Sequence, residues 1–188
     1  KKNLEQCIAN FEKAFRLCEA QNNYRIAAYI YGNIATAYCD WSRPKDAIPF
    51  SEKAVEYAIK LGNRQMEGIC YVNLGAIQCN MADTRAEGIA TLQKAVPILE
   101  EGNNRRRLCE AYDYLVNACR QMNQRELAKE YLVKMDKLVG ELKTDVERYR
   151  YYRVKAAVLE DEGQYAEAIV YYLRMTNLLE NGYQDARD

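Results

Sequence analysis

The sequence predicts an all-α protein built as a solenoid of antiparallel helix pairs, and three observations lead there. A small residue, a bulky one four positions on and a second small or slim one three further recur five times. They are Cys7/Phe11/Ala14, Ala47/Ser51/Ala54, Gly88/Leu92/Ala95, Ala128/Leu132/Met135 and Ala168/Tyr172/Met175. Successive first members lie 40, 41, 40 and 40 residues apart, a period of the length that marks repeat architectures. A second kind of helix alternates with the first, carrying Tyr31/Ile34/Ala35/Tyr38, Tyr71/Leu74/Gly75/Gln78, Tyr112/Leu115/Val116/Cys119 and Tyr152/Lys155/Ala156/Leu159. No segment shows the sustained alternation of a strand.

The elements follow in order. Spacings of three and four put each set of marker residues on one helical face. They predict helices at 3–20, 24–40, 44–61, 64–81, 84–100, 104–122, 125–139, 145–162 and 165–180. Where Ser51 interrupts the bulky position, Phe50 beside it is expected to supply the bulk. Gly62, Gly102 and Gly182 fall where a left-handed C-terminal cap favours glycine, with Asn22 in the same register and Gly140 two residues out of step. Pro44 suits a helix start and Pro49 lies in the first turns, whereas Pro97 is expected to kink or loosen the end of its helix.

Composition narrows the function classes. Lys and Arg number 27 and so do Asp and Glu, leaving no net charge to attract nucleic acid or an acidic membrane. The longest uncharged runs, such as 68–82, contain Asn, Gln and Gly, so no membrane insertion is expected. The N-terminal stretch turns polar too soon for a signal peptide. There is no histidine, which removes the usual general base and the commonest metal ligand. The seven cysteines (7, 18, 39, 70, 79, 109 and 119) form no CxxC pair and read as buried or half-buried free thiols. That usage favours a reducing, cytoplasmic compartment. No glycine loop for phosphate and no nucleophile motif is present, so neither a cofactor nor catalysis is expected. The carboxylates of "LEDEG" (159–163) read as solvated charge.

These phrases resemble the tetratricopeptide repeat (TPR) family. The last unit, "YYRVKAAVLEDEGQYAEAIVYYLRM" (151–175), carries the Gly163-x-Tyr165 turn, Ala168-Ile169 and Tyr172. The unit at 31–55 adds Tyr31, Ile34-Ala35, Tyr38 and "DAIPFSEKAV". The resemblance covers one array over 1–188: a half repeat at 3–22 and full repeats at about 24–62, 64–102, 104–141 and 145–182. It departs from the family pattern in four ways. Tyrosine replaces the signature tryptophan, the proline that often ends a unit is missing, Lys155 sits where an apolar residue is usual, and the period exceeds thirty-four. HEAT and armadillo repeats, with periods near forty, are the structural rival. Neither end reads as a polar cap, so a piece of a longer array is expected.

The resemblance implies a right-handed solenoid whose first helices line a concave face. That face would then carry Tyr29, Gly32, Asn33, Thr36 and Asp40, followed by Ile69, Val72, Asn73, Ala76 and Asn80. Next come Glu110, Asp113, Tyr114, Asn117 and Gln121, and finally Arg150, Arg153, Ala157 and Asp161. The row passes from neutral to acidic to basic. Asn33 and Asn73, forty residues apart, are ligand candidates because each amide offers a donor and an acceptor. Their alternative role is hydrogen bonding within the scaffold.

By resemblance the partner is a protein or peptide, and the setting the sensory or regulatory region of a larger bacterial signalling protein. The rival is self-association into a homo-oligomer or assembly. A weaker alternative is RNA binding through "NNRRR" (103–107) and "RYRYYR" (148–153), against which the charge balance and carboxylates such as Glu100, Glu101, Glu110 and Glu147 argue. Tyr31, Tyr38, Tyr71, Tyr112, Tyr152 and Tyr172 are expected to pack the repeats.

Overall fold

The computed structural model describes residues 23–141 and 143–185, together with 6, 8–11 and 13. Most of the half repeat at 3–22, including Cys7, Cys18 and Asn22, therefore lies outside the described residues; those of its residues that are described are helical. Eight helices follow among the described residues: α1 (Tyr24–Asp40), α2 (Pro44–Lys60), α3 (Arg64–Cys79), α4 (Arg85–Glu101), α5 (Arg105–Gln121), α6 (Arg125–Asp136), α7 (Asp145–Asp161) and α8 (Tyr165–Asp185). A 3-10 turn, Val139–Glu141, trails α6 where Gly140 breaks the register. No strand occurs among the described residues, and none of the described helices is long and apolar enough to cross a membrane.

Each first helix opens on a side-chain cap. Asn23, Asn63 and Asn104 accept from the backbone N–H of Ile26, Met66 and Arg107, satisfying donors that the helix itself leaves unpaired. The fourth cap, Thr144, forms a capping box with Glu147. At the other ends, Ser42, Gly62, Asn103, Asn123 and Gly163 take positive φ. The expected glycine cap therefore holds at Gly62 but not at Gly102, which stays in the right-handed region and passes the left-handed role to Asn103. The step from 62 to 103 is the same 41 residues that separate Ala47 from Gly88. Gly182 caps nothing, because α8 continues through it to Asp185. Pro97 lies on the exposed side of α4, which runs on to Glu101.

The helices group into two compact units, Lys1–Asn103 and Asn104–Asp188. In the first unit α1 pairs with α2, α3 with α4, and α2 also meets α3. Ala54, Val55 and Ala58 of α2 form a core with Cys70 and Leu74 of α3, flanked by Tyr31 and Tyr71. Phe50 does supply the missing bulk: its ring stacks on Tyr38 at 5.2 Å and lies 6.3 Å from Tyr31.

The α3–α4 pair packs closely. A Cβ built on Gly75 would come within 2.6 Å of the Leu92 side chain, and one on Gly88 within 2.6 Å of the Cys79 backbone nitrogen. Across this pair the buried Thr91 hydroxyl donates to Gln78 Oε1 at 2.7 Å, so neither polar group is left unpaired.

In the second unit α5 pairs with α6 and α7, and α7 with α8. Tyr112 packs on Tyr131 (6.2 Å) and Tyr152 on Tyr171 (6.0 Å). Lys155, out of place in a repeat core, reaches Asp136 of α6 at 2.9 Å, which also accepts from the Tyr151 hydroxyl at 2.8 Å. Burial and this donation together push the Tyr151 phenol well above its ordinary value. Cys70, Cys79, Cys109 and Cys119 are buried cysteines in no disulfide, and Cys39, likewise in none, is half-buried. Desolvation pushes Cys109 up to about 12 and Cys119 to about 11, so neither is a nucleophile at neutral pH.

Candidate partner-binding surface

In the first unit the expected groove residues lie on α1 and α3, which touch. Tyr29, Asn33 and Thr36 of α1 and Asn73 and Asn80 of α3 are exposed. Thr36 spends its hydroxyl on the Gly32 carbonyl at 3.0 Å. Asn80 is the C-terminal cap residue of α3. Asn33 and Asn73 make no side-chain hydrogen bond among the described residues; the asparagines that hold the scaffold are the caps Asn23, Asn63 and Asn104, forty and forty-one apart. Val72, expected in the same row, is instead fully buried.

The second unit treats the equivalent positions differently. Asp113 of α5 stands where Val72 stands and is buried to 1% exposure. It accepts from Arg153 at 2.5 Å and Arg150 at 3.0 Å, both on α7, and from the Asn117 amide at 2.8 Å. Arg150 also lies 5.9 Å above the Tyr114 ring and 3.7 Å from Glu110, which Arg107 contacts at 2.8 Å. Burial pushes the Asp113 carboxyl above its ordinary value, against the pull of the two guanidiniums.

Five residues read as groove contacts, Asp113, Tyr114, Asn117, Arg150 and Arg153, thus converge in one ion network that ties α5 to α7. The expected passage from acidic to basic is replaced by pairing across this interface. Four of the six arginines considered for phosphate are engaged in the same way: Arg107 with Glu110, Arg148 with Asp145 at 2.9 Å, Arg150 and Arg153 with Asp113.

The carboxylates of 159–163 are likewise partnered rather than merely solvated. Glu160 accepts from the Tyr172 hydroxyl at 2.8 Å, Asp161 from Arg120 at 2.5 and 3.1 Å, and Glu162 lies 2.7 Å from Lys129. Arg120 holds the Asp161 carboxyl below its ordinary value. A cleft of about 490 Å³ lies among these pairs, lined in part by Arg125 and Gln164. It offers a lattice of matched charges and no reactive group. No cluster of three or more acidic or thiol side chains able to hold a metal occurs among the described residues.

The paired helices, their two recurring faces and the Gly-x-Tyr turn define a TPR-type all-α repeat fold. No family model matches the chain, and no curated protein sequence matches it. Solved structures of this type superpose over nearly its whole length. A crystal structure of MamA is 22% identical, covers 96% of this chain and 93% of its own, and has a TM-score of 0.59. A second MamA structure is 18% identical, covers 96% of each chain, and has a TM-score of 0.57. The nearly identical TPR-like repeats of a Podosopora anserina kinesin light chain, in a single-substitution variant, are 13% identical, cover 97% of each chain and reach 0.63.

Proposed function

We propose that this chain is a protein-interaction scaffold without catalysis of its own, and that α1 and α3 of the first unit form its binding face for an extended peptide or partner segment. The observation that carries this reading is the pair Asn33 and Asn73: exposed, unbonded to the scaffold, and set at one register on neighbouring first helices. Unspent amides at a repeat spacing match a peptide backbone, which presents its own donor and acceptor at each residue. The exposed Tyr29 adds an aromatic surface with a polar tip, a type enriched at interfaces. The setting as a sensory or regulatory region of a larger signalling protein rests on the resemblance of the long repeat units.

The test is a peptide selected against the wild-type protein from a random display library, then titrated onto wild type and an Asn33→Ala/Asn73→Ala double variant. Two lost hydrogen bonds at about 1 kcal/mol each predict a loss of affinity on the order of thirtyfold. Melting temperature and helicity should not move, because neither amide bonds the scaffold. Undiminished binding by the double variant would sink the assignment of this face.

A further inference from the structure

The cleft of about 490 Å³ in the second unit is lined by residues of α5, α6, α7 and the turn before α8, and no residue of either chain end lines it. Its size falls in the range of small-molecule sites. Three cations, Arg120, Arg125 and Lys129, face three carboxylates, Glu126, Asp161 and Glu162, so the lining has no net charge. Arg120 is bonded to Asp161, and Lys129 lies 2.7 Å from Glu162. Arg125 is the exception to this matching: it makes no hydrogen bond or ion pair among the described residues. Its charge is still felt in the cleft, where it helps Arg120 hold the Asp161 carboxyl down. The Gln164 side chain is likewise unbonded among the described residues. Beneath these groups Ala128 and Val158, both buried, supply an apolar floor.

We infer that this cleft binds a free α-amino acid with an apolar side chain, its carboxylate on Arg125 and its ammonium between Asp161 and Glu162. An unpaired guanidinium is a planar fork of donors that matches a carboxylate in two bonds at once, and the Gln164 amide can add a third donor. A carboxylate has about four acceptor sites, so Asp161 and Glu162 keep lone pairs for an ammonium beyond those their own partners use. The ligand's side chain then lies on Ala128 and Val158. The balance of signs decides against the rival ligands. A phosphate would meet three carboxylates, and a simple cation would meet three positive side chains. Only a molecule that carries both charges gains from both sets. The Arg120–Asp161 and Lys129–Glu162 pairs hold the lining in place before the ligand arrives, which lowers the ordering cost of binding.

Calorimetric titration of the whole chain with L-leucine provides the test. Saturable binding in the millimolar range is expected. Leucinamide lacks the carboxylate and isocaproate lacks the ammonium, so each should bind on the order of tenfold more weakly through the loss of a charge-assisted hydrogen bond. Arg125→Gln should weaken leucine by a similar factor and leave leucinamide unchanged. Glu162→Gln should weaken leucine and leave isocaproate unchanged. Arg125 bonds nothing in the scaffold, so its variant keeps the helicity and melting temperature of the wild type. Absence of saturable leucine binding overturns the proposal. So does inorganic phosphate binding more tightly than leucine, or a leucine affinity indifferent to Arg125→Gln. Peptide affinity at Asn33 and Asn73 is read on other helices, so failure here leaves that reading standing, and the reverse.

Discussion

The two units apply one repeat plan to opposite chemical ends. At the position where successive first helices meet, the first unit buries Val72 and the second buries Asp113. The apolar choice leaves the neighbouring polar side chains free, and Asn33 and Asn73 stand exposed beside it. The ionic choice draws its neighbours in, and Asn117, Arg150 and Arg153 all turn to the Asp113 carboxylate. A polar residue on a first-helix face is therefore available to a partner only where the contact beneath it is already satisfied.

The comparison is broken most severely at Asp113. Asp113→Ala strands two guanidiniums at a half-buried site and should cost about 3–5 kcal/mol in denaturant unfolding of the second unit. Rebuilding the site on the first unit's plan, as Asp113→Val with Arg150→Ile and Arg153→Ala, should recover most of that loss, because well-packed apolar replacements of buried ion pairs are often neutral. A triple variant as unstable as the single one would show that the contrast between the units is not interchangeable chemistry.

The first unit is most sensitive where its helices approach closely. Gly88→Ala drives a methyl against the Cys79 backbone, which cannot yield as a side-chain tip does. A loss of about 3 kcal/mol in its melting is expected. Asn63→Ala removes only the cap on Met66 and should cost about 1 kcal/mol.

The smallest effect is the pH dependence that Glu147 gives the second unit. The Thr144 and Lys143 backbone N–H groups bond the Glu147 carboxylate and hold it below its ordinary 4.5. Its stabilisation is therefore present above that value and is lost as pH falls through the lowered one. Glu147→Gln should flatten this part of the acid limb in a thermal-melt series from neutral pH downward. An acid limb of unchanged slope in that variant would assign the loss to other carboxylates.

Much of this is legible in the sequence. The period and the two marker faces locate the helices to within a few residues, because helix packing repeats whatever the surface does. The Asp113 network is legible in principle too. Asp113 and Arg153 differ by one period, and residues one period apart on first helices become neighbours. Reading the row as a charge gradient misses this, since a gradient assumes each side chain faces solvent. The burial of Val72 escapes for the same reason. The move of the left-handed cap from Gly102 to Asn103 follows from the single 41-residue step, which shifts every later landmark by one.

The buried thiols have a practical consequence. Cys70 and Cys79 lie in the first unit, Cys109 and Cys119 in the second. A thiol reagent reaches such groups only when the surrounding helices open. The rates at which the two pairs are labelled are therefore two clocks carried by the wild-type chain. Each times the opening of one unit without an added probe.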